Sequence, residues 1–598
     1  MTGTDEAWAQ AIREQAAREQ PARDPRQLRG DAPLLDGWLR VTEQAEAGQL
    51  TPMSVPGHKQ RTDLTGAVTA GDAPLYGGLD TIKHADHLLA EGERRAARLW
   101  GADWCRFSVA GSTHGNQALA LAAGQPGQPI VVTRALHRSL LLGLVLAGLD
   151  PVWVLPEVDP ATGLPGPVPV AAVEAALAAH PDACAVFLGD PSYVGTIGDL
   201  AGHAAAAHQA GVPLLVDAAW AAHLGFHPDL PPHALAAGAD GMVTSAHKAL
   251  PAYTQGALVL ARTGQARTGQ ARTGQARTGQ AGGGLLDADR LNRAFEATHT
   301  TSPAGAIMAS IDAARALLAR DGAELCGRLL RVVAQAKQQL RAEPGLDVLD
   351  GPGVEPTKLV VLLAGTGAHG NRVEADLIAA GMPVEMADRD TVVPIVTLAD
   401  DEDTMTRFTT TLLEAIRRHR GEPRRPLPAA AWLITPEPAI PPREAFFLPH
   451  ITLAATAAVG RVSAELVAPY PPGVPVLAPG EVITSAALDA LRATLADGGR
   501  IAYAADPSLA TFQVVARELP GTENLRYERH CRASCPGPSL ARWMIFCGYP
   551  GWLRPWPRSA WGWGCARRPA RPARRPPRPR RVGLECRRSA TSLTPVRC

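Results

Sequence analysis

No run of eighteen apolar residues occurs anywhere in the 598-residue chain, and its first residues, Met1-Thr-Gly-Thr-Asp-Glu6, are polar and acidic. A membrane-spanning helix needs about 20 apolar residues, and a secretory signal needs a basic start before an apolar core, so neither is expected and the setting expected is cytoplasmic. Cysteine is scarce in the part that reads as folded. Cys105, Cys184 and Cys326 stand far apart and lack metal-ligand spacing, so they are expected as small buried residues in a reducing compartment. The other six cysteines follow residue 530, where Cys531 and Cys535 have no His or Cys at zinc-site spacing; no metal site is expected. Lysine is missing altogether from Gly521 onward, where arginine far outnumbers acid. The net charge of +1 therefore hides an acidic body behind a basic tail. An acidic body suits a soluble enzyme and is compatible with a cationic substrate.

A hydrophobic fraction of 46% with 20% charged residues is ordinary for a globular protein, and the length calls for two or three folded units. Residues 1–30 read as a polar arm. From 31 to 320, apolar runs (Ile130-Val-Val132, Val152-Trp-Val-Leu155, Ala185-Val-Phe-Leu188, Leu214-Leu-Val216) alternate with alanine-rich helical stretches, which predicts an α/β domain with a mainly parallel, covered sheet. Within it, 261–284 is of low complexity: Ala-Arg-Thr-Gly-Gln occurs four times, followed by Gly282-Gly-Gly284. On a helix, five-residue steps rotate by about 140°, so the arginines form no face and a solvated insertion is expected. Helical segments lead into a long helix near 322–342. The stretch 321–422 then reads β-α-β-β-α, a small α+β domain, and proline-rich linkers precede a last unit, 423–518. The tail 519–598 is rich in Arg, Pro and Trp and is expected to be disordered. Arginine with interleaved tryptophan suits phosphate contacts and stacking, but the composition also resembles a GC-rich frame read out of register. Nucleic acid is not an expected partner.

The residues that carry chemistry lie at predicted strand ends. Pro213-Leu-Leu-Val-Asp217 is a buried strand ending in a carboxylate, and a buried aspartate needs a cation. Thr244-Ser-Ala-His-Lys248 follows the apolar Gly241-Met-Val243 and aims an amine inward. A pyridinium nitrogen and a Schiff-base lysine are the two anchors pyridoxal phosphate requires, so Asp217 with Lys248 suggests that cofactor. Gly111-Ser-Thr113 between a strand and a helix suits a phosphate, or is a plain helix cap. His137, after Pro129-Ile-Val-Val-Thr133, stands where an imidazole stacks on a planar ring, or is an exposed loop histidine.

Together these segments resemble the bacterial ornithine/lysine/arginine decarboxylases, of pyridoxal-phosphate fold type I, from about Asp31 to about Glu518. The resemblance is carried by Val55-Pro-Gly-His-Lys59, Gly111-Ser-Thr-His-Gly-Asn116, Leu136-His-Arg-Ser139, Asp190-Pro-Ser-Tyr-Val-Gly195, Val216-Asp217, Ser245-Ala-His-Lys248 and Thr300-Thr-Ser-Pro303. Later segments continue it, in Pro442-Arg-Glu-Ala-Phe-Phe447, Ala458-Val-Gly-Arg461 and Pro469-Tyr-Pro-Pro-Gly-Val-Pro475. It implies that Lys248 carries the cofactor as a Schiff base, that Asp217 pairs with its ring nitrogen and that His137 stacks on the ring. Ser112, Thr113, Ser245 and His247 would hold the phosphate. His247 or Lys248 would return a proton, and Thr301 would reach the cofactor phosphate of a neighbouring chain in a homodimer or larger oligomer. The implied activity is α-decarboxylation of a basic amino acid to a polyamine-pathway amine and CO2. Where many members read Asp-Glu-Ala-His, this chain reads Asp217-Ala-Ala-Trp220, which makes substrate identity less transferable. The rival readings are an aminotransferase or other lyase on the same fold, with Arg443 or Arg461 on the substrate carboxylate, and a non-catalytic protein acting through its tail.

Overall fold

The computed structural model describes residues 25–516, apart from 51, 74–78, 80–86, 265–283, 427–433 and 471–472. Seven strands form the main sheet: β1 (Trp104–Ser108), β2 (Pro129–Thr133), β3 (Asp150–Val154), β4 (Val186–Gly189), β5 (Leu214–Asp217), β6 (Gly241–Ser245) and β7 (Ala257–Ala261). Their order is β1-β7-β6-β5-β4-β2-β3. Only β7 runs antiparallel to its neighbours; the other pairs are parallel. The central strands are buried on both faces, which is why they read as near-continuous apolar runs. Alternate side chains feed two cores: Val186, Leu188, Leu214 and Val216 pack on one side, Phe187 and Leu215 on the other, the period-2 signature of a strand. The helix Gly111–Ala123 lies close on this second side. A Cβ at Gly115 would stand 2.1 Å from Val243 Cγ2, so the missing side chain sets how near that helix approaches β6.

Three expected boundaries move. The helix expected near 322–342 is the second half of one 37-residue helix, Gly305–Arg341, so the boundary drawn between 320 and 321 falls inside a continuous element. A glycine in a helix costs about 1 kcal/mol relative to alanine, and the burial of Leu318, Leu325, Cys326 and Leu329 around Gly322 outweighs it. The low-complexity insertion also starts later than its composition suggests. Ala261 ends β7 in full burial, and Thr263–Gly264 (β8) pairs with Leu286–Asp287 (β9). The rest of the repeat, the first 24 residues and the tail lie outside the described residues. The arm is shorter than expected at its inner end, because the turn Pro25–Leu28 docks Leu28 against Ala32, Leu35, Leu39 and Ala316.

After the long helix, β10 (Asp347–Val348), β11 (Val361–Leu362), β12 (Met386–Ala387) and β13 (Thr391–Val393) form an antiparallel sheet, order β10-β11-β13-β12, flanked by helices Gly370–Ala379 and Glu402–Arg418. This is the expected β-α-β-β-α with one strand added in front. The last unit pairs β14 (His450–Ala454) with β17 (Thr511–Val515), and β15 (Ala468–Tyr470) with β16 (Arg500–Ala502). Cys105, Cys184 and Cys326 are free and buried, as expected. Among the described residues no helix is long and apolar enough to cross a membrane, and no group of His, Cys, Asp and Glu is arranged to hold a metal.

One buried ion pair joins the last unit to the main sheet. Arg134, on the loop after β2, donates through Nη1 and Nη2 to the two carboxylate oxygens of Glu481, the second at 2.9 Å, and donates to the carbonyls of Pro475 and Val476 at 3.1 and 3.0 Å. Both side chains are almost fully buried, at 1% and 3% exposure. Arg134→Met is expected to cost about 3–5 kcal/mol, because Glu481 is left charged and unpaired out of water. The Arg134→Met/Glu481→Met pair should recover most of that loss. Denaturant midpoints of the two variants provide the check.

Candidate active site

The loops leaving the carboxyl ends of β1, β2, β4, β5 and β6 surround a cavity of about 360 Å³, the position where ligands gather on such sheets. Its walls include Ser112, Thr113, Asn116, His137, Tyr193, Asp217, Trp220, Ser245, His247 and Lys248, with Val474 reaching in from the last unit. Two other grooves, of about 410 and 620 Å³, lie over the helices at 170–179 and 305–341 and gather none of these side chains.

Asp217 ends β5 and is 8% exposed. Asn116 Nδ2 donates to its Oδ2 at 2.6 Å and the Ala219 amide donates to its Oδ1 at 3.2 Å. The same Asn116 nitrogen donates its second hydrogen to Ser139 Oγ at 2.9 Å. Ser139 Oγ lies 2.7 Å from His137 Nδ1, and the Ser139 amide donates to that nitrogen at 3.2 Å. The donor count then fixes the histidine. Nδ1 accepts, so in the neutral ring the proton sits on Nε2. Burial pushes His137 below the ordinary imidazole value, with Lys248 and Arg138 adding to the shift and the Asp217 carboxylate opposing it.

Lys248 lies in the helical turn Ala246–Ala249 directly after β6. Its amine stands 3.7 Å from the centre of the Trp220 ring. Burial holds it below the usual lysine value, against Asp217 and Glu385, which pull it up. Ser112 Oγ and Ser245 Oγ meet at 2.7 Å, beside the first turn of the helix Gly111–Ala123, whose leading amides have no partner within the helix. Thr113, also in that turn, is exposed. His247 Nδ1 donates to the Gly256 carbonyl at 3.0 Å, so its neutral ring presents Nε2 as an acceptor.

Seven of the eight residues singled out from the sequence thus line one cavity. Thr301 does not: it is exposed, and the single chain leaves it outside that cavity. The segment Val55–Lys59 is also outside, with Val55 59% exposed. Asp190 lies just behind the wall, its carboxyl pushed up to about 7 by burial and accepting from the Gly198 amide at 2.6 Å. Asn116 and Ser139 were quoted within motifs but given no role. The signal was there, since Asn116 stands four residues after Ser112 and shares its helix face.

The arrangement offers three chemistries. Free helix-start amides and two hydroxyls suit an anionic phosphate. A buried carboxylate oriented by two donors suits a ring N–H cation. An amine with lowered basicity suits attack on an aldehyde. One buried acceptor, Asn116 Oδ1, has no hydrogen-bond partner among the described residues, so the cavity has acceptor capacity left for a bound molecule. These features fit pyridoxal phosphate.

Sheet order, the single antiparallel strand and the strand-end cavity put the protein in the class of fold-type-I pyridoxal-phosphate enzymes. Residues 76–370 match the Orn/Lys/Arg decarboxylase major domain, and residues 429–497 match the C-terminal domain of the same family. The chain is 31% identical to an arginine decarboxylase of Halalkalibacterium halodurans, over 77% of this chain and 94% of that protein. It is 29% identical to an arginine decarboxylase of Bacillus subtilis over 82% and 98%. It therefore belongs to the Orn/Lys/Arg decarboxylase family. Its fold is also that of the constitutive lysine decarboxylase of Escherichia coli (TM-score 0.64, 19% identity, 86% of this chain and 85% of that one) and of a lysine decarboxylase of Pseudomonas aeruginosa (TM-score 0.65, 20% identity, 81% and 80%).

The His137–Ser139–Asn116–Asp217 chain yields a pH prediction. Asp217→Asn removes the charge that favours the imidazolium while Lys248 and Arg138 remain, so the His137 midpoint should fall further. Imidazole NMR resonances followed against pH read this directly, and an upward shift would contradict the assignment.

Proposed function

We propose that this protein is a pyridoxal-phosphate-dependent α-decarboxylase of a basic amino acid, with arginine, lysine and ornithine as the candidate substrates. The observation that carries the reading is the meeting of Lys248 and the doubly oriented Asp217 in one strand-end cavity of an Orn/Lys/Arg decarboxylase family member. When bound, the cofactor supplies an electron sink for the pair left behind as CO2 departs.

The residues of the chain divide the remaining work. Lys248 offers the attaching amine, and its partial burial raises the neutral fraction that attacks an aldehyde carbon. Asp217 keeps a proton on the ring nitrogen, with Asn116 and the Ala219 amide fixing the carboxylate plane. Ser112, Thr113 and Ser245 hold the phosphate with hydroxyls and free amides. His247 lines the same end of the cavity, with its Nδ1 directed to the Gly256 carbonyl and Nε2 left towards the cavity. His137 would supply a flat wall for the cofactor ring, its orientation and tautomer fixed by the Ser139 contacts. By fixing the orientation of a bound cofactor, these residues would help select carboxylate loss over proton loss at the substrate Cα. Lys248 and His247 are the candidates for returning a proton to Cα.

Two arginines bear on the aminotransferase alternative, which needs a guanidinium on the substrate carboxylate. Arg443 donates to the carbonyls of Val145 and Leu146, and Arg461 donates to the carbonyl of Val515. Neither lines the cavity, which supports decarboxylation over transamination. The exposure of Thr301 and of Val55 supports a homodimer in which Thr301 reaches the cavity of the second copy. The three buried free thiols support a reducing, cytoplasmic setting.

Incubation with arginine, lysine and ornithine separately should release CO2 and the matching amine from at least one. Borohydride reduction should leave the cofactor fixed to wild-type protein and not to Lys248→Ala; a reducible adduct of equal yield in that variant would remove Lys248 from its role. Asp217→Ala should retain some cofactor and lose most turnover. Mixing Lys248→Ala chains with a Thr301→Glu variant should restore part of the activity through hybrid dimers, measured as CO2 release. An active monomer by light scattering would argue against the shared site.

A further inference from the structure

The chain has only five lysines, Lys59, Lys83, Lys248, Lys337 and Lys358, among its 59 basic residues. Two of the five meet at one indole. Lys358 Nζ stands 4.0 Å from the centre of the Trp220 ring, and Lys248 Nζ 3.7 Å from the same centre. The two nitrogens are therefore no farther apart than those distances laid end to end. Lys358 is 8% exposed, and its amine makes no hydrogen bond or ion pair among the described residues. Its stem lies against Gly195, where φ is +83° and an added Cβ would come 2.6 Å from Lys358 Cβ and Cγ. Trp220 and Lys248 line the cavity and Lys358 does not, so Lys358 bears on the site through the Trp220 ring that it shares with Lys248.

We propose that Lys358 is a positioning residue for Lys248: its ammonium, seated on the same Trp220 ring, disfavours a second positive charge there and biases Lys248 towards the neutral, nucleophilic amine. This rests on the reading of Lys248 as the point of cofactor attachment. An aromatic face is suited to the task because it attracts a cation without offering a proton acceptor. A carboxylate in its place would stabilise the ammonium of Lys248 and oppose attack, whereas a neighbouring cation promotes it.

The surrounding charges are few. On the Lys248 side stand Asp217, which pulls its basicity up, and His137, with Arg138 beyond. On the Lys358 side stands Glu355, whose carboxylate is already engaged by the Thr357 amide at 2.7 Å and hydroxyl at 2.6 Å, with His223 Nε2 at 3.6 Å. The exposed Glu385 acts on both amines. Against the pull of Glu355 and Glu385, burial and the Lys248 charge bring Lys358 down to about 8. Repulsion between two like charges is reciprocal, so a protonated Lys358 opposes protonation of Lys248 in turn.

The test uses the full chain freed of cofactor and does not read turnover. Protein is mixed with pyridoxal phosphate over a range of pH, trapped briefly with borohydride, and the Lys248 peptide is quantified by mass spectrometry. In wild type, the trapping rate should reach half its maximum well below the ordinary lysine value of about 10.4. Lys358→Met should move that midpoint up by about one pH unit and slow trapping at neutral pH about tenfold. Lys358→Arg, which keeps the cation, should stay near wild type. The proposal is overturned by a wild-type midpoint at the ordinary value, by an unshifted Lys358→Met, or by equal shifts in the Met and Arg variants, which would indicate a packing role. The wild-type midpoint decides even if a variant does not fold. Adducts found only at other lysines would overturn the attachment reading and this inference with it.

Discussion

A carboxylate kept out of water at the end of a central strand is the constraint on which the site depends. Asp217 sits at the tip of β5, the middle strand of seven, and it is tolerable there because two donors meet its oxygens. One donor, Asn116, belongs to a helix whose distance from β6 is set by the bare backbone of Gly115. The same amide nitrogen reaches Ser139 and through it His137. Packing between helix and sheet, the orientation of the carboxylate and the tautomer of the histidine are thus one connected problem. A shift of the helix by a fraction of an ångström would be felt at all three.

Much of this was legible in the sequence because the informative patterns are local. A buried apolar run ending in Asp217, a small-residue turn carrying Lys248, and hydroxyls opening a helix at Ser112 each span fewer than ten residues, and strand ends in a parallel sheet converge on one edge. The sheet is legible for the same reason, since its central strands are short continuous apolar runs. Legibility failed where one element crosses an expected boundary: the helical segments before 320 and the helix near 322–342 are one continuous helix, with Gly322 held inside it by buried neighbours. It failed again where partners are remote. Nothing near Arg134 announces Glu481, 347 residues away, and Glu355-Pro-Thr-Lys358 carries no pattern that points to Trp220. Thr301 was read through resemblance and lies outside the cavity of its own chain.

The departure at Trp220 changes the character of the pocket wall. A histidine there would bring a titratable ring with its own donor and acceptor. The indole removes both at that face and accepts two ammonium groups instead. Two of the chain's few lysine amines are therefore gathered at one ring, with the Asp217 and Glu385 carboxylates acting on Lys248 and the Glu355 and Glu385 carboxylates on Lys358. These charges come from the carboxyl ends of β5 and β6 and from the segments before β11 and β12.

The ion pair between Arg134 and Glu481 also has a meaning in time. Arg134 is in the loop that bears His137; its guanidinium lies over the Trp153 ring of β3, and its hydrogen bonds go to carbonyls and a carboxylate of the last unit. At a synthesis rate of about 5–20 residues per second, the 347-residue separation keeps that guanidinium without its partners for roughly 20–70 s while the chain emerges from the ribosome. The sheet can assemble in that interval, since β1 to β7 all precede residue 262. The loop that bears His137 gains these last polar contacts only after the distant segment arrives, so docking of the last unit would follow assembly of the sheet.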